Sequence, residues 1–228
     1  MDEWWTYGIT DLVLFTPDTW FRLFEQYHRD WWPLQLACAT MAVVIVLCLW
    51  LKPARGGRVI TLLLAAGWAW TGWAFLHLRF APIHWVADWY AVAFFLQAML
   101  LFVYAVSRRG MEFETSQSAR AGFGVFVLTG ALLVMPAVAY LTGREWRQAE
   151  LFAMTPDATA LATLGLLLLA KGRVALWLMV IPLAWCFITG ATLWALEAPG
   201  AMLLPAGAML TIVLMLITEQ TGSAHNRS

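Results

Sequence analysis

Apolar runs of about 20 residues recur along the whole chain, and short polar segments that carry most of the charges separate them. A helix needs roughly 20 such residues to cross a bilayer hydrocarbon core of about 30 Å. The pattern therefore predicts an all-α, polytopic membrane helix bundle that forms a single transmembrane domain over 1–228. About seven spans are predicted, at 32–51, 59–78, 86–106, 121–141, 156–170, 174–196 and 201–217.

A different pattern precedes the first span, at 17–31. Its aromatic residues recur at helical spacing, and charged residues occupy another face of the same helix. Such a segment is typical of an amphipathic helix that lies in the membrane interface. The aromatic positions are Trp20, Phe24, Tyr27 and Trp31.

The fifth span begins with Thr155-Pro156-Asp157. Thr155 is predicted to cap the helix, Pro156 suits its first turn, and the Asp157 carboxylate faces the positive end of the helix dipole. The uninterrupted part, 156–170, is roughly 22 Å long, which is shorter than the hydrocarbon core of about 30 Å. Either the span is broken and starts near Glu150, or its membrane entry is recessed, with Asp157 at the mouth of the bundle.

Small residues line one face of this fifth helix. Ala162 and Gly165 lie on the same side as Ala158, and a surface of small residues lets a neighbouring backbone approach closely. Thr159 and Thr163 form a polar stripe beside it. This helix is therefore predicted to lie inside the bundle.

Composition agrees with a membrane protein: 62% of the residues are hydrophobic and 12% are charged. The formal net charge of zero conceals an asymmetry. Under seven spans, nine of the 14 Lys and Arg residues fall on one face, and 11 of the 14 acidic residues fall on the other. Because basic residues favour the cytoplasmic side, the predicted orientation is N-out and C-in.

Five stretches of the chain form a recognisable set. They are Phe15-Thr-Pro-Asp-Thr-Trp-Phe-Arg-Leu-Phe-Glu-Gln-Tyr27, Trp32-Pro33-Leu-Gln35, Trp68-Ala-Trp70-Thr-Gly72, Thr155-Pro156-Asp157-Ala158-Thr159 and Thr163-Leu-Gly165-Leu-Leu-Leu. Together they resemble the bacterial domain of unknown function 6064 family of integral membrane proteins. The resemblance implies a multi-pass protein of the bacterial cytoplasmic (inner) membrane and supplies no established activity. The fifth-span motif of that family usually reads Pro-Cys-Pro-Thr-Thr, and here Asp157 and Ala158 stand at the Cys and second Pro positions. Thiol chemistry is therefore not carried over to this chain.

Four ionisable residues, His77, His84, Asp88 and Asp157, map to the predicted outer end. His84 and Asp88 are spaced one helical turn apart, so they could bind a metal or form an ion pair; an ordinary interfacial hydrogen bond is the simpler alternative. The four converge as ligands only if spans two, three and five adjoin. The sequence identifies neither a metal nor a cofactor.

The absence of known motifs limits the function. No ionisable residue is predicted near the middle of a span, whereas proton relays and pumps usually need one. The seventh span lacks the lysine that binds retinal in rhodopsins. The sequence also contains no phosphate-binding loop, GxSxG motif or HExxH motif. We therefore expect no enzyme and no nucleic-acid partner. The favoured hypothesis is binding or transport of a small solute or cation from the outer face, within the lipid bilayer. The alternative is a non-catalytic accessory subunit that binds another membrane protein or a second copy of itself, and a metal enzyme at the outer interface is a third.

Overall fold

The computed structural model describes residues 17–107, 111–115, 118–141, 143, 145–171, 175–197 and 201–225. Within these ranges the chain is helical, apart from turns and one isolated antiparallel bridge between Phe113 and Ala170. Val174, where the sixth span was predicted to begin, lies outside the described residues. The helices are α1 (Pro17–Asp30), α2 (Leu34–Leu51), α3 (Gly56–Phe80), α4 (Ala87–Val106), α5 (Ala119–Leu141), α6 (Pro156–Leu169), α7 (Ala175–Ala195) and α8 (Leu203–His225).

Five of these helices, α2, α3, α4, α5 and α7, are long and apolar enough to cross a membrane. Two further apolar helices, α6 and the Leu203–Leu216 part of α8, are shorter. The all-helical prediction is confirmed, together with five membrane-length apolar helices. Most helix boundaries differ by up to three residues from the predicted spans; α2 begins at Leu34 because residues 31–33 form a turn. The last helix, α8, continues to His225, well beyond the predicted end at 217.

Two of the long helices change their winding. The last ten residues of α3, Thr71–Phe80, form a π-helix, and Gly130–Val134 does the same inside α5. A π-helix has more residues per turn than an α-helix, so side chains beyond it point in directions that a regular helical wheel does not predict. This winding determines where residues near the end of α3 point.

Helix α6 forms the centre of the bundle. Thirteen of its 14 residues are buried, and it contacts α3, α5, α7 and α8. Because protein rather than lipid surrounds α6, its short length does not have to match the thickness of a bilayer. The surrounding helices instead expose large apolar side chains on their outer surfaces, as Trp50, Phe102 and Trp177 do.

The small-residue face of α6 packs against α5. A Cβ atom on Gly165 would lie 2.7 Å from the Leu128 amide nitrogen and 2.9 Å from the Gly124 carbonyl oxygen. The two backbones are thus too close for any side chain at this position, and the predicted close approach is confirmed. Ala162, one turn earlier, is also buried.

The polar stripe of α6 is satisfied by local hydrogen bonds. The hydroxyl of Thr159 donates to the Thr155 carbonyl at 2.7 Å, and that of Thr163 donates to the Thr159 carbonyl at 2.8 Å. Thr163 also accepts a hydrogen bond from the indole nitrogen of Trp68 on α3, at 2.8 Å. The threonines therefore place polar groups in the bundle without leaving them unpaired.

Aromatic contacts attach α1 to the π-helical end of α3. The Phe24 ring stacks on Phe75 at 5.0 Å, and the Trp70 indole nitrogen donates to the Tyr27 hydroxyl at 2.8 Å. Phe24 and Tyr27 are fully buried, so these contacts remove a large apolar area from solvent. Helix α1 is thereby packed onto the bundle.

Candidate functional site

The start of α6 is held by the turn that precedes it. Thr155 is the residue before the first helical position, but its hydroxyl donates to the Leu151 carbonyl at 3.1 Å and does not cap the helix. The predicted Thr155 side-chain cap is therefore wrong, because the hydroxyl is used inside the turn. The Thr159 hydroxyl instead accepts a hydrogen bond from the Ala153 amide at 3.0 Å. Pro156 occupies the first turn as predicted.

Ala153 has a left-handed backbone, with φ of 62°. A residue with a Cβ atom adopts this conformation only at a cost of order 1–3 kcal/mol. The position is tightly enclosed, since a Cβ atom on Gly67 of α3 would lie 3.0 Å from the Ala153 side chain. The strained turn thus fits against α3 and fixes the chain direction directly before Asp157.

Asp157 is buried rather than open at a mouth, with 1% of its surface exposed. One carboxylate oxygen accepts hydrogen bonds from the Trp185 indole nitrogen at 2.6 Å and from the Thr189 hydroxyl at 2.8 Å. Trp185 and Thr189 are one turn apart on α7, so both donors point from the same face of that helix. Asp157 is therefore a polar connection between α6 and α7 inside the bundle.

A second carboxyl group completes the cluster. The Glu150 side chain forms a hydrogen bond with Asp157, and only 9% of the Glu150 surface is exposed. A carboxylate offers only acceptor oxygens, so a direct hydrogen bond between two carboxyl groups requires a proton on at least one of them. This contact is therefore possible only while the pair holds a proton.

Aromatic rings surround the donors to Asp157. The Trp185 ring meets Tyr90 edge-on at 5.4 Å and Phe94 at 5.1 Å, and both of those residues lie on α4. Phe94 in turn contacts the Trp68 ring at 4.3 Å. Aromatic edges and faces of this kind fix the orientation of the Trp185 indole. The hydrogen bond to Asp157 is therefore held in place by α3 and α4.

The other three predicted ligands occupy different positions. His77 donates from Nδ1 to the Asp88 carboxylate at 2.7 Å, and both side chains are more than half exposed. The predicted pairing of His84 with Asp88 along one helix is replaced by the pairing of His77 with Asp88. The reason is that α4 begins only at Ala87, so His84 lies in the preceding turn.

His84 approaches the buried cluster through aromatic rings. It stacks between Phe80, at 4.9 Å, and Tyr90, at 6.1 Å, and Tyr90 contacts Trp185. Burial lowers the pKa of His84 below its ordinary value. His84 is thus connected to Asp157 through two ring contacts.

The structure does not unite the four residues as a metal site. Asp157 has Trp185, Thr189 and Glu150 as partners rather than His77 or Asp88. Across the described ranges, no group of three or more His, Cys, Asp and Glu residues is arranged to hold a metal ion. The described contacts of Asp157 are hydrogen bonds with Trp185, Thr189 and Glu150.

The family of unknown function DUF6064 matches residues 17–226. The chain belongs to this family. The DUF6064 match covers all eight helices and the Asp157 cluster. The chain has no significant match among curated proteins or among solved structures.

In this DUF6064 protein, sequence reasoning selected Asp157 but missed Glu150, Trp185 and Thr189. Glu150 carried a signal, since it is an acidic residue directly before the apolar stretch Leu151-Phe-Ala-Met154 and seven residues before Asp157. Trp185 and Thr189 carried none, because a Trp and a Thr on an apolar helix are ordinary packing residues. Their role depends on which face of α7 meets α6.

Proposed function

We propose that this chain is a polytopic membrane protein that binds or transports a small solute or cation from its outer face, and that the buried Asp157–Glu150 pair binds and releases a proton in that process. The observation that carries the proposal is the hydrogen bond between these two buried carboxyl groups. Ionisable groups inside an apolar bundle are costly, so they usually serve a function.

Membrane residence is supported by the distribution of apolar surface. Only 11% of the residues of α2 are buried, and in 18-residue apolar stretches of α4 and α5 the buried share of residues is 33% and 28%. Such faces are stable against lipid and unstable against water. We propose that α6 and α8 complete seven spans in a bacterial inner membrane, that α1 lies at the interface, and that the orientation is N-out and C-in.

A shared proton makes the pair sensitive to a bound ligand. A cation near Asp157 favours loss of the shared proton, because two ionised carboxylates can then face a positive charge. A neutral solute with hydrogen-bond donors would compete with Trp185 and Thr189 for the same carboxylate oxygen. Binding of a cation would therefore be coupled to proton release.

The test is proton movement in proteoliposomes. The purified chain is reconstituted with a trapped pH-sensitive dye, and monovalent and divalent cations, amino acids and sugars are added outside. We expect at least one class to move protons with the wild type and not with Asp157→Asn or Glu150→Gln. Asp88→Asn is the matched control, because it removes a carboxylate whose side chain is 61% exposed. Proton movement that persists in both buried variants would contradict the role of the pair.

A second candidate function is a non-catalytic accessory subunit. The observation that favours it is the weak attachment of α2, which makes its principal contacts with α3 and exposes Leu47, Trp50 and Leu51. A partner membrane protein or a second copy of this chain could cover that face. If no solute or ion moves protons in the liposome assay and another membrane protein co-purifies in mild detergent, this function takes first place.

A further inference from the structure

A strongly basic cavity lies where α2 ends and α3 begins, at the end of the bundle where the sequence concentrates Lys and Arg. The cavity has a volume of about 410 Å³, and its walls include four basic side chains and one acidic side chain. The basic residues are Lys52, Arg55, Arg58 and Lys171, and the acidic residue is Glu112.

Among the described residues, three of the four cations form no ion pair with a carboxylate. Lys171 lies 3.8 Å from Glu112 and 3.6 Å from Glu114, so its charge is largely balanced. Arg58 donates from Nε to the Ala105 carbonyl at 3.0 Å, a contact that leaves its charge uncompensated. In the part of the chain that the structure describes, no carboxylate forms an ion pair with Lys52, Arg55 or Arg58.

The first turn of α3 adds to the positive electrostatic potential in the cavity. Its amide groups and its dipole favour an anion. The turn contains no acidic residue, Arg55 precedes it, and Arg58 lies within it. The backbone of the turn lies directly against residue 111 on the opposite wall, because a Cβ atom on Gly57 would overlap the Met111 carbonyl oxygen. Lys52, Arg55 and Arg58 line the cavity beside this contact. Their mutual repulsion, and their repulsion by the dipole, would be relieved by a bound anion.

An apolar groove continues from the basic cavity. It has a volume of about 720 Å³ and runs between α2 and α5, with Val46 on one side and Val125 and Leu132 on the other. Leu49 and Lys52 line both the groove and the basic cavity. A charged pocket that leads into an apolar groove matches the shape and chemistry of a phospholipid.

We propose that Lys52, Arg55 and Arg58 bind the phosphate of an anionic phospholipid and that one of its acyl chains lies in the groove between α2 and α5. Basic pockets between membrane helices on the cytoplasmic side recognise anionic headgroups in this way. Burial of an acyl chain in the groove adds apolar contact that a soluble phosphate lacks. The site is separate from the Asp157 cluster and does not depend on the transport proposal.

The test measures lipid binding to the full chain in neutral detergent by native mass spectrometry. Phosphatidylglycerol is the anionic probe and phosphatidylcholine the neutral one. We expect a clear preference for phosphatidylglycerol, and we expect each removed cation to weaken its binding roughly fivefold. The charge variant combines Lys52→Gln, Arg55→Gln and Arg58→Gln, and the matched control removes three cations elsewhere with Arg22→Gln, Arg29→Gln and Arg147→Gln.

Two further measurements distinguish a phospholipid from a soluble phosphate compound as the ligand. Val125→Trp fills the groove, so it should weaken phosphatidylglycerol binding while the cations remain. Glycerol 1-phosphate, which carries the same phosphate without acyl chains, should not displace the lipid. Should the charge variant lose helical content by circular dichroism, Arg55→Gln alone tests the same cation cluster, because Arg55 is exposed.

Three results would overturn the proposal. Equal binding of the two lipids excludes an anion site, and equal weakening by the control variant shows a general charge effect. Displacement by glycerol 1-phosphate together with an unchanged Val125→Trp variant assigns the cavity to a soluble phosphate compound instead.

Discussion

The side-chain amide of Gln97 on α4 donates to the backbone carbonyl of Leu178 on α7, at 2.9 Å. In a regular helix that carbonyl would accept from the amide of residue 182, but residue 182 is a proline and has no N–H. Gln97 thus supplies the donor that Pro182 lacks. Because Gln97 is fully buried, the replacement hydrogen bond forms where water cannot substitute for it.

This relationship predicts a coupling between the two side chains. Gln97→Met should lower the free energy of unfolding by about 1–3 kcal/mol, because the Leu178 carbonyl is then buried without a donor. In a Pro182→Ala background the helix restores its own donor, so the same substitution should cost at least 1 kcal/mol less. Thermal unfolding of the four proteins in detergent gives the coupling directly. Additive effects would show that Gln97 does not compensate for the proline.

The contact between α5 and α6 predicts a strong effect at Gly165. Gly165→Leu should destabilise the protein by about 1–3 kcal/mol, because any side chain there meets the backbone of α5. Gly122→Ala is the control, since a Cβ atom at Gly122 has nothing within 4 Å. Detergent stability is the measurement. A Gly165→Leu protein as stable as wild type would show that α6 does not pack against α5 through this face.

His28 predicts a loss of stability in acid. Its Nδ1–H donates to the Arg147 carbonyl at 2.6 Å, and burial lowers its pKa below 6.5, an effect that this hydrogen bond only partly opposes. The unfolded chain therefore binds the proton more readily than the folded chain. The stabilising contribution is full above about pH 6.5 and is lost as the pH falls towards the folded-state pKa.

The measurement for His28 is the unfolding temperature at pH 7.5 and pH 5.5. We expect a fall on acidification that is smaller in His28→Asn, because the Asn amide can still donate to the Arg147 carbonyl but does not titrate. An equal fall in both proteins would assign the pH dependence to other groups, such as His84.

The proposed orientation predicts the side on which the C-terminus lies. Because nine of the 14 Lys and Arg residues fall on one face of the proposed seven-span arrangement, a reporter fused to the C-terminus should be active in the cytoplasm. The control is the same reporter fused before residue 17, which should register on the outer side. The opposite pair of results would reverse the orientation, and the Asp157 cluster would then face the cytoplasmic half of the membrane.

The sequence predicted the helices well because long apolar runs have few alternatives to helix. It also predicted the short α6, since Pro156 marks its start, and the close approach at Gly165, since small residues on one face have a direct steric meaning. The sequence did not predict correctly which histidine contacts Asp88. The π-helical end of α3 and the late start of α4 bring His77, rather than His84, to Asp88.

The contacts of Asp157 could not be predicted, although Glu150 stood out as an acidic residue before an apolar stretch. They depend on the rotation of α7, which presents Trp185 and Thr189 to α6, and on the turn at 151–155, which folds Glu150 back onto Asp157. Neither feature has a local signal, because both follow from packing between segments that are distant in the chain. The hydrophobic pattern therefore identified Asp157 as a carboxylate at the start of a helix, but it did not identify the groups that hydrogen-bond to it.

The central claim is that Asp157 and Glu150 share a proton, and infrared spectroscopy of their carboxyl groups tests it most directly. At neutral pH the wild type should show the C=O stretch of a protonated carboxyl group, shifted in D₂O. Asp157→Asn and Glu150→Gln should each alter this band, the double variant should lack it, and Asp88→Asn should leave it unchanged. A wild-type spectrum without the band at neutral pH, or a double variant that retains it, would contradict the claim.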